Sequence, residues 1–433
     1  MARDQSGSPA RIRLLVLDKT LVESSASPFS EGGRGSPSLS LPEEKRNDLI
    51  TPACILTLCG MSILFIHSAQ AYVGGEQWRM QVVWIALGAV AYAIMSLVNY
   101  HLWMRHAHYL YGLGLLALCL VFLGPEIYGA RRWIDLGVFK IQPAEGVKLA
   151  TLILGCSILA RSEIGSLRES LKGICKVALC FFVPMFLIFL QPDLGSTLVF
   201  PPMVFSILYV AKIPSRFFAS TFLAFVVVLG VIGLDVYRYY QFKTENPQPD
   251  HTIAAYEDTS FVPLKDYQRK RILTFVAPDL VDSGGIGANW NRIQALIAVA
   301  TGGLGGKGLG NGMQAKLGYL PSAVGHNDFI YAVLAEEAGF IGGLFALVLF
   351  AVIILGCLRV AGVAGDRFGA MLAIGAAAML MTHVFINVGM TLGITPITGL
   401  PLPFLSYGGS FLVACCILMG LVQSVYRHRK EFR

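Results

Sequence analysis

Apolar residues run through this chain in long unbroken stretches, and charged residues fall between them. Ten stretches stand out, at about 49–70, 78–98, 108–124, 143–160, 174–190, 195–211, 217–236, 327–357, 369–391 and 405–426. Most have the roughly 17–25 residues that an α-helix needs to cross a hydrocarbon core. The eighth is longer, which predicts a tilted helix or one that extends beyond the bilayer. In the short piece QPDLG, Pro192 and Gly195 interrupt an otherwise continuous apolar run, which predicts a tight hairpin between two spans. The pattern predicts an all-α, polytopic integral membrane protein with about ten transmembrane helices. One large extracytoplasmic loop, residues 237–327, separates spans seven and eight.

Composition agrees: 55% of the 433 residues are hydrophobic and 14% charged, against about 25% charged for a soluble domain. A soluble enzyme is excluded, and no nucleic-acid partner is expected. The nine cysteines sit in or beside apolar runs without a C-x-x-C pair, so they read as small core residues. Residues 1–47 differ from the rest. Ser, Gly and Pro dominate from Ser24 to Pro42, which predicts a disordered N-terminal tail. The membrane domain covers 48–427 and a short tail 428–433.

Lys and Arg in short loops set orientation. Arg105, Arg161, Arg168, Lys172, Lys212, Arg216, Arg359, Arg367 and the cations from Arg427 onward fall on one side. Both termini are therefore expected in the cytoplasm. One external loop departs from the rule, because Gly124–Lys148 carries Arg131, Arg132, Lys140 and Lys148. That departure suggests either tolerated charge or an external anion-binding surface.

Asp328 carries the strongest chemical hint. It stands where the long loop re-enters the membrane, after a Pro321–Gly325 turn and before an apolar run. A carboxylate there costs free energy unless it is hydrated, paired or used. Pro143 suits the first turn of a helix, and Glu145 and Lys148 then share a face three residues apart. The spacing fits a simple ion pair and a charged-ligand site equally. Lys265, Arg269, Lys270 and Arg271 form a basic cluster in the large loop. The glycine-rich GGLGGKGLGNG contains a formal G-x-G-x-x-G, but no strand–helix alternation surrounds it, so a dinucleotide fingerprint is rejected. Its glycines suit a close approach of backbone N–H groups and Lys307 to an anion, or a re-entrant turn. The segment Ile394–Ser410 holds Pro396, Pro401 and Pro403. Such rigid irregular backbone at membrane depth is expected to line a cavity or lie buried in protein. His383 and Asn387, four apart, read as an interhelical hydrogen-bonding pair. Glu336 and Glu337 read as buried and partnered.

Taken together, GARRWIDLG, IQPAEGVK, QPDLGST, DYQRKRI, GGLGGKGLG, NDFIYAVLAEEAGFIG and INVGMTLGITPITGLPLPFLSYGGS occur in one order. Over about residues 50–427 the chain resembles the shape, elongation, division and sporulation (SEDS) family, nearer its RodA members than its FtsW members. The resemblance implies a peptidoglycan glycosyltransferase in the bacterial cytoplasmic (inner) membrane, acting on the extracytoplasmic side. Such proteins polymerise lipid II by an inverting transfer that releases undecaprenyl pyrophosphate. They work with a class B penicillin-binding protein, and RodA-like members work beside MreC and MreD in elongation. Asp328 matches the family's essential aspartate and is the implied catalytic base. Glu145, Lys148, Arg132, Gln142, Arg269, Arg271, Lys307 and Ser406 are the implied substrate-binding set, with Lys148 and Arg132 assigned to the pyrophosphate. A divalent cation, magnesium or manganese, is the candidate cofactor, with Glu145 and Asp328 as candidate ligands.

The chain departs from the family pattern in three places. Ala144 replaces the serine of QPSE, and LPSAVGHND is two residues longer before Asp328 than the family spacing. Leu296 stands where a lysine is expected in close RodA relatives. Two alternatives compete with a polymerase: a lipid II flippase, and a non-catalytic scaffold for a penicillin-binding protein.

Overall fold

The computed structural model describes residues 48–431, except for 125–130, 246–255, 257–259, 279–288, 321–324 and the single positions Val73, Leu136, Val138, Ile164, Phe261, Pro263 and Lys265. The expected disordered tail at 1–47, Lys265 and most of the Pro321–Gly325 turn lie outside the described residues.

The architecture is helical. The helices are α1 (Ile50–Gln70), α2 (Gln77–Leu97), α3 (Tyr100–Val121), α4 (Pro143–Ala160), α5 (Leu167–Leu190), α6 (Leu194–Leu198), α7 (Phe200–Val210) and α8 (Ser215–Glu245). They continue with α9 (Asp266–Val276), α10 (Trp290–Gly302), α11 (Met313–Lys316), α12 (Ile330–Val363), α13 (Arg367–Thr391) and α14 (Gly409–His428). Two short strands, β1 (Ile134–Asp135) and β2 (Lys140–Ile141), pair antiparallel just before α4. Among the described residues, eight helices are long and apolar enough to cross a membrane: α1, α2, α4, α5, α8, α12, α13 and α14. The other two expected spans are also helical. The 22-residue α3 is more polar, with His101, Arg105, His106 and His108 in its first half. The sixth span, Leu194–Val210, is shorter and is divided between α6 and α7 ahead of Pro201 and Pro202.

Local sequence explains the helix starts. Asn99 accepts from His101 N at 3.0 Å, and Ser166 with Glu169 forms a capping box on α5. Asp193 caps α6 through Ser196 N at 3.1 Å, and Asp366 caps α13 through Gly369 N at 3.2 Å. Each cap satisfies a donor that the first helical turn leaves without a partner.

Helix α4 is central, with 83% of its apolar window buried, whereas α8 has none buried. A protein interior selects small residues for close helix contact and lipid does not. Thus α14 packs along α2, where a Cβ on Gly88 would stand 2.8 Å from Cys416 Sγ and one on Gly420 2.7 Å from Tyr92 O.

The long eighth span is broken, and the break accounts for its length. Gly339 has φ +69 and divides α12. The glycine-rich segment is the partner of that break. Lys307 N and Gly308 N donate to the carbonyls of Glu336 and Glu337 at 3.0 and 2.9 Å, while Phe340 N and Ile341 N donate to Gly303 and Leu304 at 2.8 and 3.1 Å. A Cβ on Gly306 would lie 2.1 Å from Glu337 O, and one on Gly302 2.0 Å from Ala335 O. The glycines are there so that two backbones can meet and satisfy each other where water is scarce. Of the two expectations for this segment, an anion approach and a re-entrant turn, the backbone pairing with the broken helix suits the turn. The backbone N–H groups of Lys307 and Gly308 are taken by helix carbonyls and face no anion.

Candidate functional site

Asp328 lies two residues before α12, in the turn that delivers the large loop to the membrane. Its main chain is held from both sides. Asn387 on α13 donates through Nδ2 to Asp328 O at 2.8 Å and to Leu400 O at 2.7 Å. Ser406 Oγ donates to Asn327 O at 2.6 Å and accepts from Leu402 N at 2.8 Å, and Tyr407 N donates to His326 O at 3.0 Å. The proline-rich segment 394–408 is therefore stitched to the 326–328 turn. Its glycine leaves room for the acid, since a Cβ on Gly399 would come within 3.5 Å of Asp328 Oδ2.

The QPDLG turn packs against the same segment, where a Cβ on Gly195 would meet Thr398 O at 2.7 Å. That contact brings Asp193 and Arg132 towards Asp328. Arg132 Nε donates to Gln191 O at 3.2 Å and its terminal nitrogen to Pro192 O. A second guanidinium nitrogen stands 4.0 Å from Asp193 Oδ1, with the Arg132 side chain 30% exposed. Gln142 Nε2 donates to Asp193 Oδ2 at 3.0 Å. Asp328 is partly buried. Burial pushes its carboxyl up to about 6, the nearby Asp193 charge adds to the rise, and Arg132 opposes it. Asp328, Asp193, Arg132 and Gln142 thus form one polar wall, with an acid able to hold or release a proton near neutrality.

Glu145 and Lys148 lie beneath that wall. Lys148 Nζ stands 2.9 Å from Glu145 Oε1 and 2.8 Å from Oε2, and the two side chains are 0% and 3% exposed. His383 Nδ1 is 3.1 Å from the Pro401 carbonyl, which can only accept, so Nδ1 carries the proton. Nε2 then accepts from the Lys148 ammonium at 3.3 Å. The chain Glu145–Lys148–His383–Pro401 ties α4 through α13 to the segment beside Asp328. His383 bridges α13 to α4, as expected, and also binds the proline-rich turn, whereas the Asn387 amide donates to the turn carbonyls of Asp328 and Leu400 and not to another helix.

Several expected binding residues lie elsewhere. Arg269 is fully buried and bonds Asp235 at 2.8 Å, Leu264 O at 2.6 Å, Ser260 Oγ at 2.8 Å and Val262 O at 3.0 Å. It clamps the loop to α8, and its donors face protein, not a substrate. Arg271 lies in α9, and its side chain is outside the described residues. Lys307 pairs with Glu336 at 2.6 Å and Thr301 at 2.8 Å, which anchors the glycine segment. Glu337 accepts from Ser68 at 2.5 Å. Both glutamates are buried and partnered, as read from the sequence. Ser406 is 1% exposed and shapes the turn from inside. Lys148 is likewise sealed from a ligand by its pairing, which removes it as a direct pyrophosphate contact in this structure.

The metal expectation meets the same obstacle. Both Glu145 oxygens face Lys148 Nζ, so the ion pair occupies the atoms that Glu145 would offer a metal. Among the described residues no cluster of three or more His, Cys, Asp or Glu side chains is placed to hold a metal ion. Residue-by-residue reading missed Asp193 as part of the site. Its only sequence signal is its place in QPDLG, a turn between two membrane spans.

A polytopic helical membrane protein with a partly buried acid held near a buried ion pair is the class that this fold and site define. The chain matches the FtsW/RodA/SpoVE cell cycle protein model over residues 49–431 and belongs to that family. It is 33% identical over 377 residues to the peptidoglycan glycosyltransferase MrdB of Escherichia coli K12, covering 87% of this chain and 92% of that one. It is also 33% identical to a probable peptidoglycan glycosyltransferase FtsW of Thiomicrospira cyclica, covering 85% and 88%. Among solved structures it resembles a chain described with the coordination of polymerization and crosslinking by a peptidoglycan synthase complex. The TM-score there is 0.68 at 27% identity, with 88% of this chain and 98% of that one covered.

Proposed function

We propose that this chain, a peptidoglycan glycosyltransferase, extends glycan strands from lipid II, with Asp328 as the general base. The acceptor sugar hydroxyl gives its proton to the Asp328 carboxylate while its oxygen bonds to the donor's anomeric carbon. The bond from that carbon to the pyrophosphate oxygen breaks, and its electron pair leaves with undecaprenyl pyrophosphate. One displacement inverts the anomeric configuration. Asp328 is suited to the step because its carboxyl titrates near 6, close enough to working pH to accept a proton and return it. Arg132, partly exposed beside Asp193, is the cation best placed to meet the leaving pyrophosphate. Gln142 and Asp193 hold the wall against which the sugars lie. Lys148, Glu145 and His383 position the turn from below.

The observation that carries the reading is Asp328 itself, a partly buried carboxylate that forms no ion pair among the described residues, held by its main chain near the partly exposed Arg132. The charge pattern of the short loops supports an extracytoplasmic position for this face and cytoplasmic termini. A class B penicillin-binding protein would crosslink the product, and an elongation role with MreC and MreD follows from the RodA-like motifs.

The test is polymerisation of lipid II by purified protein with its transpeptidase partner. Asp328→Asn should reduce glycan synthesis by roughly 10²–10⁴-fold while leaving thermal unfolding near wild type. Full synthesis by the variant would remove Asp328 from the mechanism. A wild type that only moves labelled lipid II between leaflets would favour the flippase. Synthesis at full rate after chelation would dispose of a metal requirement.

A further inference from the structure

On the far side of the bundle from Asp328 lies a cleft of about 610 Å³ between α3, α4 and α5. The start of α3, the end of α4 and the start of α5 meet at that end of the bundle. Asp328, Arg132 and the α4 start lie at the other. The cleft is lined by His108, Arg161 and Lys176, and no Asp or Glu lines it. All three cationic or ionisable side chains are exposed, and none makes an ion pair or side-chain hydrogen bond among the described residues. Arg161 caps the end of α4. Lys176 lies nine residues into α5, about 14 Å below the helix start at 1.5 Å per residue. A lysine at that depth in a lipid-facing helix extends its ammonium towards the phosphate layer. Below the cations, Leu154, Leu179 and Val183 give apolar walls.

We propose that this cleft binds one anionic phospholipid of the adjoining leaflet. The phosphate sits between the Arg161 guanidinium and the Lys176 ammonium, and an acyl chain lies along Leu154, Leu179 and Val183. Three features point to a lipid over a peptide or a soluble anion. The cations sit at one end of the cleft, apolar walls continue from them into the membrane, and no acid competes for them. Basic pockets between transmembrane helices recognise anionic head groups through this arrangement. An arginine contributes a planar fork matched to phosphate oxygens. The cleft volume lies within the range of about 300–1,000 Å³ common for ligand sites. This site is independent of the catalytic reading.

Native mass spectrometry of the full chain released from vesicles of phosphatidylcholine with phosphatidylglycerol reads the number of retained lipids. Wild type should keep one more phosphatidylglycerol than phosphatidylcholine. The double variant Arg161→Gln/Lys176→Gln should lose that lipid, with apparent affinity falling at least tenfold. The charge-conserving pair Arg161→Lys/Lys176→Arg should retain it, which separates charge recognition from a folding defect. A photoreactive phosphatidylglycerol carrying its label on the acyl chain should attach to peptides containing Leu154, Leu179 or Val183. Equal retention by wild type and the glutamine variant, equal retention of the zwitterionic lipid, or labelling that avoids these helices would each overturn the proposal.

Discussion

Removing one partner of the Glu145–Lys148 pair should cost far more than removing both. The ammonium lies 2.8–2.9 Å from the two carboxylate oxygens, and neither side chain is more than 3% exposed. At an effective dielectric of about 20, charges at 2.8 Å attract by about 6 kcal/mol before desolvation is counted. Desolvation opposes most of that, but it falls on a lone charge with no compensation. Lys148→Met should therefore destabilise by about 3–5 kcal/mol, as should Glu145→Gln, since each strands the other group. The double variant Glu145→Gln/Lys148→Met should recover most of that loss and lie within about 1–3 kcal/mol of wild type, because no charge is stranded and only the buried His383 Nε2 loses its donor. Unfolding of the purified protein in mixed micelles, titrated with a denaturing detergent and followed by circular dichroism, gives the four corners of the cycle. The same proteins tested for glycan synthesis separate two roles for Lys148. A positioning role predicts that the double variant regains part of the turnover that Lys148→Met loses, with an unchanged KM for lipid II. A direct pyrophosphate contact predicts no recovery. Additive single costs in the double variant would refute the buried-pair reasoning.

The geometry sets further outcomes. The acid limb of the pH–rate profile should fall near pH 6, because Asp328 must be ionised to act as base; Asp193→Asn, which keeps the α6 cap, should move that limb to lower pH, and an unmoved limb would exclude the coupling. The raised value also means that the folded protein holds this proton more tightly than the unfolded chain, so the stability it contributes is full below about pH 4 and is lost as pH rises through about 6. Gly306→Ala should destabilise by at least ~2 kcal/mol, since it combines left-handed backbone strain with disruption of the bonds to the broken helix, each worth ~1 kcal/mol. Gly305→Ala, whose Cβ would meet nothing within 4 Å, should stay within about 0.5 kcal/mol of wild type in the same unfolding assay.

The helical membrane architecture was legible in the chain because burial in lipid needs only length and apolarity, which are local properties. So was Asp328, whose cost at a membrane edge is visible from its neighbours in sequence, and so were the buried roles of Glu336 and Glu337. The glycine-rich segment looked like an anion loop or a turn, and only the break at Gly339 shows what its N–H groups bind. Arg269 and Lys307 looked like free cations because sequence shows charge without partners, whereas for Lys148 an ion pair with Glu145 and a ligand site stood equally open. Asp235 and Glu336 supply the missing partners from roughly thirty residues away along the chain, and Glu145 closes on Lys148. Asp193 was hidden for the converse reason. It reads as a turn residue until the contact between Gly195 and Thr398 brings that turn to Asp328.

Sequence by itself determined the class of molecule, the helical character of its apolar stretches and the acid at the membrane boundary, because hydrophobic length and unpaired charge act residue by residue. Tertiary structure alone decided which cations remain available to a substrate. A charge buried against its counterion and one held open beside a cleft are the same letter, and their difference is the distance to a partner that the fold supplies.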